Sequence, residues 1–95
     1  MKFEWDELKN VANKHKHGIS FEEAQTVFDD DYAIYLDDNK HSTDEERFII
    51  IGVDSAFRRL TVCHCYRGKS EEIIRIISAR EATKQEAKLY EEGLE

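Results

Sequence analysis

Proline is absent from this 95-residue chain, cysteine occurs twice and glycine four times. The lack of proline removes any polyproline segment or proline-rich linker. Cys63 and Cys65 lie two apart on what reads as one strand, too close to staple a loop, so no disulfide framework is expected. Charge-free apolar runs fall far short of the ~18 residues of a membrane helix, and "MKFEWDELK" carries no signal-peptide pattern. Those two absences lead to the expectation of a soluble, cytoplasmic chain. Glycine-rich nucleotide loops and nucleophile elbows are missing as well.

What is present supports one core. Hydrophobic residues make up 40% and charged residues 37% of the chain, so a single domain over residues 1–95 with a heavily solvated surface is expected. The net charge of −7 argues against non-specific coating of nucleic acid, which rests on an excess of Lys and Arg. The distribution qualifies that. Acid is concentrated at Glu4 to Glu7, at Asp29 to Glu46 and near the end of the chain; bases cluster at Lys9 to His17, Arg58 to Lys69 and Arg75 to Lys84. If the fold brings the three basic stretches together, a positive cleft can exist on an acidic protein.

Phe3 and Trp5 alternate with polar residues, as in a short strand. Asp6 then reads as an N-cap, Leu8, Val11, Ala12 and His15 follow at helical spacing, and Gly18 suits the left-handed position that ends a helix. In "ISFEEAQTVF", Ser20 and Glu23 have capping-box spacing, and Phe21, Ala24, Val27 and Phe28 mark a buried stripe. "YAIYL", "RFIIIGV", "RLTVCHCYR" and "EIIRIISA" read as four strands, with a polar, acidic loop over 37–46. Thr83 and Glu86 form a second capping box and open a last helix carrying Ala87, Tyr90 and Leu94 on one side. The order β-α-α-β-β-β-β-α predicts an α+β fold, an antiparallel sheet with its helices on one face.

The stretch "IIRIISAREAT" carries two arginines. Strand alternation puts Ile74, Ile76 and Ser78 on one face and Ile73, Arg75, Ile77 and Ala79 on the other, so Arg75 must be paired, at a cleft edge or snorkelling. Arg80 leaves the strand just before the T-x-x-E helix start, a position suited to a phosphate. Arg67 and Lys69 sit in the turn "YRGKSE". His15 reads as a core or boundary residue and His17 as outward-facing; "HKH" does not place two ligands on one helix face. "CHC" lacks the second Cys pair of a zinc site, so no metal is expected. His64 serves as a general base only if its strand face lines a cleft.

The sequence also resembles a known family. "FEWDELKNVANKHKHGISFEEA", "HSTDEERFIIIG" and "RGKSEEIIRIISAREATKQEAKLYE" are similar to the BrnT family of small bacterial toxins, in three ordered blocks that span nearly the whole chain. The first carries Phe3, Trp5, Asp6, Lys9, Asn13, Lys14, His17, Gly18 and Phe21, and the second His41, Ser42, Glu46, Arg47 and Phe48. The third carries Arg67, Gly68, Arg75, Ile77, Ser78, Arg80, Ala82, Thr83, Glu86 and Tyr90.

The resemblance implies a RelE-like fold and a ribonuclease toxin of a type II toxin–antitoxin pair that inhibits translation and growth. The expected partners are RNA and a BrnA-like antitoxin with a ribbon-helix-helix part; operator DNA would be reached only through that antitoxin. Metal-free RNA cleavage needs a base for the 2′-OH, an acid for the leaving 5′-oxygen and cations for the phosphorane, without any cofactor. On that basis Arg80 and Arg67 are expected as phosphate and transition-state ligands, with Arg75 in support. Lys9, Lys14 and His17 would bind RNA, and His64 or Glu46 would be the base. The alternative is a toxin-fold module that has lost cleavage and acts as an antitoxin partner or co-repressor, a reading favoured by the acidic run Asp29 to Asp38.

Overall fold

The Asp6 carboxylate accepts the backbone N–H groups of Leu8 and Lys9 and so starts the first helix, α1 (Glu7–His17), immediately after strand β1 (Lys2–Glu4). Gly18, at φ 73°, ends α1 in the left-handed region that glycine adopts without penalty. The Ser20–Glu23 capping box then opens α2 (Phe21–Ala24). The helix tightens into a 3-10 turn over Gln25–Asp29, where the Thr26 hydroxyl donates to the Glu23 carbonyl, a local bond that competes with α-helical pairing. Strands β2 (Ile34–Asp37), β3 (Phe48–Val53), β4 (Arg59–Arg67) and β5 (Ile73–Glu81) follow, and α3 (Lys84–Glu92) closes the chain behind the Thr83–Glu86 capping box. This computed structural model describes residues 1–38 and 45–94, so much of the loop expected over 37–46 lies outside the described residues.

The α+β class and the element order are as expected, and the sheet runs β1-β5-β4-β3-β2. It is mixed rather than purely antiparallel. β1 pairs in parallel with β5, Phe3 opposite Ile74, a partnership between chain ends that local pattern does not reveal. Ile19, Phe21, Ala24 and Val27 of the helical layer pack against Ile50, Leu60, Val62, Ile74, Ile76 and Ala79 of the sheet. The expectation of helices on one face is corrected by α3. Its Glu86 and Glu91 bond to Arg80, Thr61 and Arg59, on the opposite face, while Tyr90 donates to Asp30 Oδ2 at 2.7 Å and ties the helix to the turn before β2.

The first helix is inverted relative to its apolar stripe. Leu8 and Val11 are 82% and 62% exposed, Ala12 and His15 are also exposed, and the buried residues are Asn10 and Asn13. Asn10 accepts the Phe21 N–H and donates to Glu22, joining α1 to α2. Asn13 reaches across to β5: its Nδ2 donates to the carbonyls of Ala79 (2.8 Å) and Ile19 (2.9 Å), and its Oδ1 accepts the Ala79 N–H (3.1 Å). Because β1 ends opposite Arg75, the outward peptide groups of Ala79 have no neighbouring strand. A side-chain amide, with the same donor and acceptor pair as a peptide, replaces it.

Next to that clasp the strand is irregular. Cys63 pairs with Ser78 but His64 pairs with Ile76, which leaves Ile77 as an extra residue in β5. The extra residue reverses the alternation beyond it. Ala79, expected to face with Arg75, joins Ile74 and Ile76 in the core, whereas Ser78 turns to the other side with Ile77 and Arg80.

His64 belongs to the core face. It has no solvent exposure and is enclosed by the rings of Phe28, Tyr66, Phe48 and Tyr35, with centroids 4.9 to 6.3 Å away. Nδ1 lies 3.3 Å from the Val62 carbonyl and donates to it, and Nε2 has no hydrogen-bond partner among the described residues. Burial pushes its pKa down, against the smaller opposing effect of the Val62 bond.

Two outcomes are expected. Replacing Asn13 with Ala strands both Ala79 peptide groups and lowers unfolding free energy by about 2–4 kcal/mol in urea titrations. His64 takes up a proton near pH ~6.5 when unfolded but resists it when folded, so stability falls as pH drops below that value, by up to about 1.4 kcal/mol per pH unit. His64→Phe, which fits an aromatic surround, removes that slope in denaturation curves measured between pH 4 and 7; an unchanged slope would refute the assignment.

Candidate active-site groove

The face of the sheet away from α1 carries a groove of about 570 Å³. Alternation along β4 supplies Thr61 and Cys63, and β3 supplies Ile49 with Arg47 just before it. The bulged end of β5 contributes Ile77, Ser78 and Arg80; Asp37 and Asp38 come from the end of β2, and Glu86 from the first turn of α3. The bulge is what brings the two arginines of "IIRIISAR" to one side. Five positions apart, Arg75 and Arg80 would face oppositely on a regular strand; the extra Ile77 puts both on the groove face.

Arg80 is held by a fork. Nη1 and Nη2 donate to the two Glu86 oxygens at 2.6 and 3.0 Å, and Nη1 also donates to the Glu81 carbonyl. The Glu86 bond raises the Arg80 pKa above its ordinary value. Reciprocally, the Arg80 fork outweighs the effect of burial and, with bonds from the Thr83 N–H and the Thr61 hydroxyl, draws the Glu86 carboxyl down to about 2. Glu86 thus caps α3 and orients Arg80 at once. Among the described residues, two of the five guanidinium N–H donors, the Nε–H and one Nη2–H, are left for another acceptor.

The rest of the face is charge-matched. Arg75 pairs with Glu4 at 2.8 Å, and Arg67 with Glu45 at 3.1 Å. The Cys63 thiol donates to Asp38 and is pushed up to about 12, first by burial and then by that carboxylate; the Cys65 thiol, donating to Glu45, is raised chiefly by burial. Both therefore stay protonated near neutrality and are poor nucleophiles. Among the described residues no cluster of His, Cys, Asp and Glu comes together in metal-ligand geometry, and no helix is long and apolar enough to cross a membrane.

The residues singled out from sequence separate into three groups. Arg67, Arg75 and Arg80 share the groove face, though only Arg80 lines the groove itself. Lys9, Lys14 and His17 are exposed on α1, across the sheet from that groove, and Lys14 is paired with Glu23 at 3.2 Å. The three basic stretches do not form one cleft. His64 is enclosed in the opposite, core-facing layer, which removes it from reach of any phosphodiester in the groove and corrects its expectation as base. Glu46 is exposed beside Arg47. His41 and Ser42 lie outside the described residues. Glu86 was legible only as a helix cap; its second role depends on α3 folding back over the end of β5. Asp38 and Cys63 carried no local signal as groove residues.

Known proteins share the sequence pattern and the fold. The sequence matches over residues 5–86 the family described as "Ribonuclease toxin, BrnT, of type II toxin-antitoxin system". The fold matches the crystal structure of the Brucella abortus ribonuclease toxin BrnT with a TM-score of 0.66 and 27% identity, covering 88% of this chain and 99% of that one. No match is found among curated proteins. With its sequence matched over most of its length and its fold shared from end to end of the Brucella toxin, the chain belongs to the BrnT family of ribonuclease toxins of type II toxin–antitoxin systems.

Proposed function

We propose that this chain is a metal-independent endoribonuclease that inhibits translation and growth by cleaving RNA, and that a BrnA-like antitoxin neutralises it. In this reading operator DNA is met only through that antitoxin. The observation that carries the reading is Arg80, fixed in the groove by Glu86 with two donors unused among the described residues. A guanidinium held in one orientation suits the oxygens of a phosphodiester and keeps its charge throughout the reaction.

In the proposed reaction the 2′-hydroxyl attacks phosphorus in line, its proton passes to a base, and the bond to the 5′-oxygen breaks. That oxygen takes up a proton, leaving a 2′,3′-cyclic phosphate and a 5′-hydroxyl. Arg80 stabilises the charge that grows on the phosphorane, with Arg67 and Arg75 attracting the backbone on either side. Glu46 is the remaining candidate for the base, being exposed beside Arg47 at the start of β3. Lys9, Lys14 and His17 would meet RNA only where it passes beyond the sheet edge to α1.

One observation favours the non-catalytic reading. Arg67, Arg75 and Arg80 all have carboxylate partners, so a phosphate must share or displace an acid at each. A face already neutralised in this way suits a protein that binds a partner without cleaving RNA.

Cleavage of RNA in EDTA separates the two. Wild type is expected to release 2′,3′-cyclic ends, and Arg80→Ala, once circular dichroism shows it folded, to cleave about 10²–10³-fold more slowly. Equal rates would remove Arg80 from the mechanism; no cleavage by either protein would favour the binding module. Glu46→Gln is expected to lower kcat by roughly 10²-fold or more with little change in KM, as loss of a general base does.

A further inference from the structure

We infer that the free edge of β2 is where the antitoxin docks, through a basic, extended segment that adds to the sheet as a further strand. This rests on the proposed reading of the chain as an antitoxin-bound toxin. β2 is the last strand of the sheet, and no described strand pairs with its outer side. Asp38 N–H bonds to the Arg47 carbonyl, so the hydrogen-bonded pairs recur two residues back, at Leu36 with Ile49 and Ile34 with Ile51. The intervening peptide groups of Tyr35 and Asp37 therefore point away from β3, toward the free edge.

Sheet edges are usually protected by lysine, proline, a bulge or a covering element. β2 has none of these among the described residues, and it is flanked by apolar side chains on both faces. Tyr35 is 56% exposed on the core side and Leu36 41% exposed on the groove side. Tyr32, in the turn leading into the strand, is 63% exposed. Leu89, 44% exposed, stands one turn before Gly93, whose backbone adjoins Ile34. Apolar groups on both sides of an unpaired edge are what a strand with alternating side chains needs for recognition.

Charge selects the occupant. Exposed Asp29 and Asp31 precede the strand and Asp37 ends it, with no Lys or Arg from Asp29 through Asp38. On a chain of net charge −7 this edge repels a second copy and attracts a basic segment. Position gives the consequence. Asp37 and Asp38 wall the groove that holds Arg80, so a strand seated on β2 brings its basic side chains to that wall and narrows the entry for RNA.

Amide hydrogen exchange on the whole chain, alone and with the purified antitoxin from the same locus, tests this. The Tyr35 and Asp37 amides should exchange fast in the free chain and slow by roughly 100-fold in the complex. Asp29→Lys with Asp31→Lys should weaken the complex about 10-fold or more while leaving the unfolding midpoint unchanged. A complex in which both amides exchange as in the free chain overturns the inference but leaves the toxin–antitoxin reading standing. Protection that rises with concentration of the chain alone assigns the edge to self-association and overturns it too. Failure to form any complex removes both the inference and the reading on which it rests.

Discussion

The clasp of the Asn13 side chain on the Ala79 peptide is the constraint from which the rest of the structure follows. It satisfies backbone groups that the short β1 leaves uncovered, and it sets α1 against the sheet through a polar contact rather than an apolar one. Burying two asparagines is tolerable because each is hydrogen-bonded at both ends of its amide; an incompletely bonded amide in the same place would oppose folding. It also frees the apolar stripe of α1, which turns outward.

The same clasp anchors the strand just beyond its bulge. There, one additional residue converts an alternation that would divide the two arginines between faces into one that joins them. Arg80 then meets Glu86 because only two residues separate the end of β5 from the start of α3, which turns back across the sheet. A single carboxylate links three things: the helix start, the arginine and, through Thr61, the centre of the sheet. The groove is consequently built mostly on strands and a helix start, with Asp38 and Arg47 just beyond strand ends.

Electrostatically the protein is a matched surface rather than a basic one. Acids stand beside most of the groove-face arginines, which reconciles a negative total charge with a family of ribonuclease toxins. Exposed pairs of this kind contribute little to stability, since solvent screens them. Their consequence is competitive: a phosphate has to share each guanidinium with a carboxylate that is already in place.

What the sequence determined by itself was local: the Asp6 cap, the two capping boxes, the Gly18 stop, the five strands and their order, because caps and alternation depend on neighbours a few residues away. The resemblance to the BrnT family was legible for the same reason, being carried by ordered short blocks. Tertiary structure alone decided which face each residue met. Leu8 and Val11 match a core pattern yet lie outside, since the inward face of α1 is taken by Asn10, bonded to Phe21 and Glu22, and by Asn13, whose partner Ala79 is 66 residues distant. His64 reads as well as a base as it does as a core ring; the aromatic side chains that enclose it come from four separate stretches of chain. The bulge at Ile77 exists only in the register between two strands, and no pattern within either strand announces it.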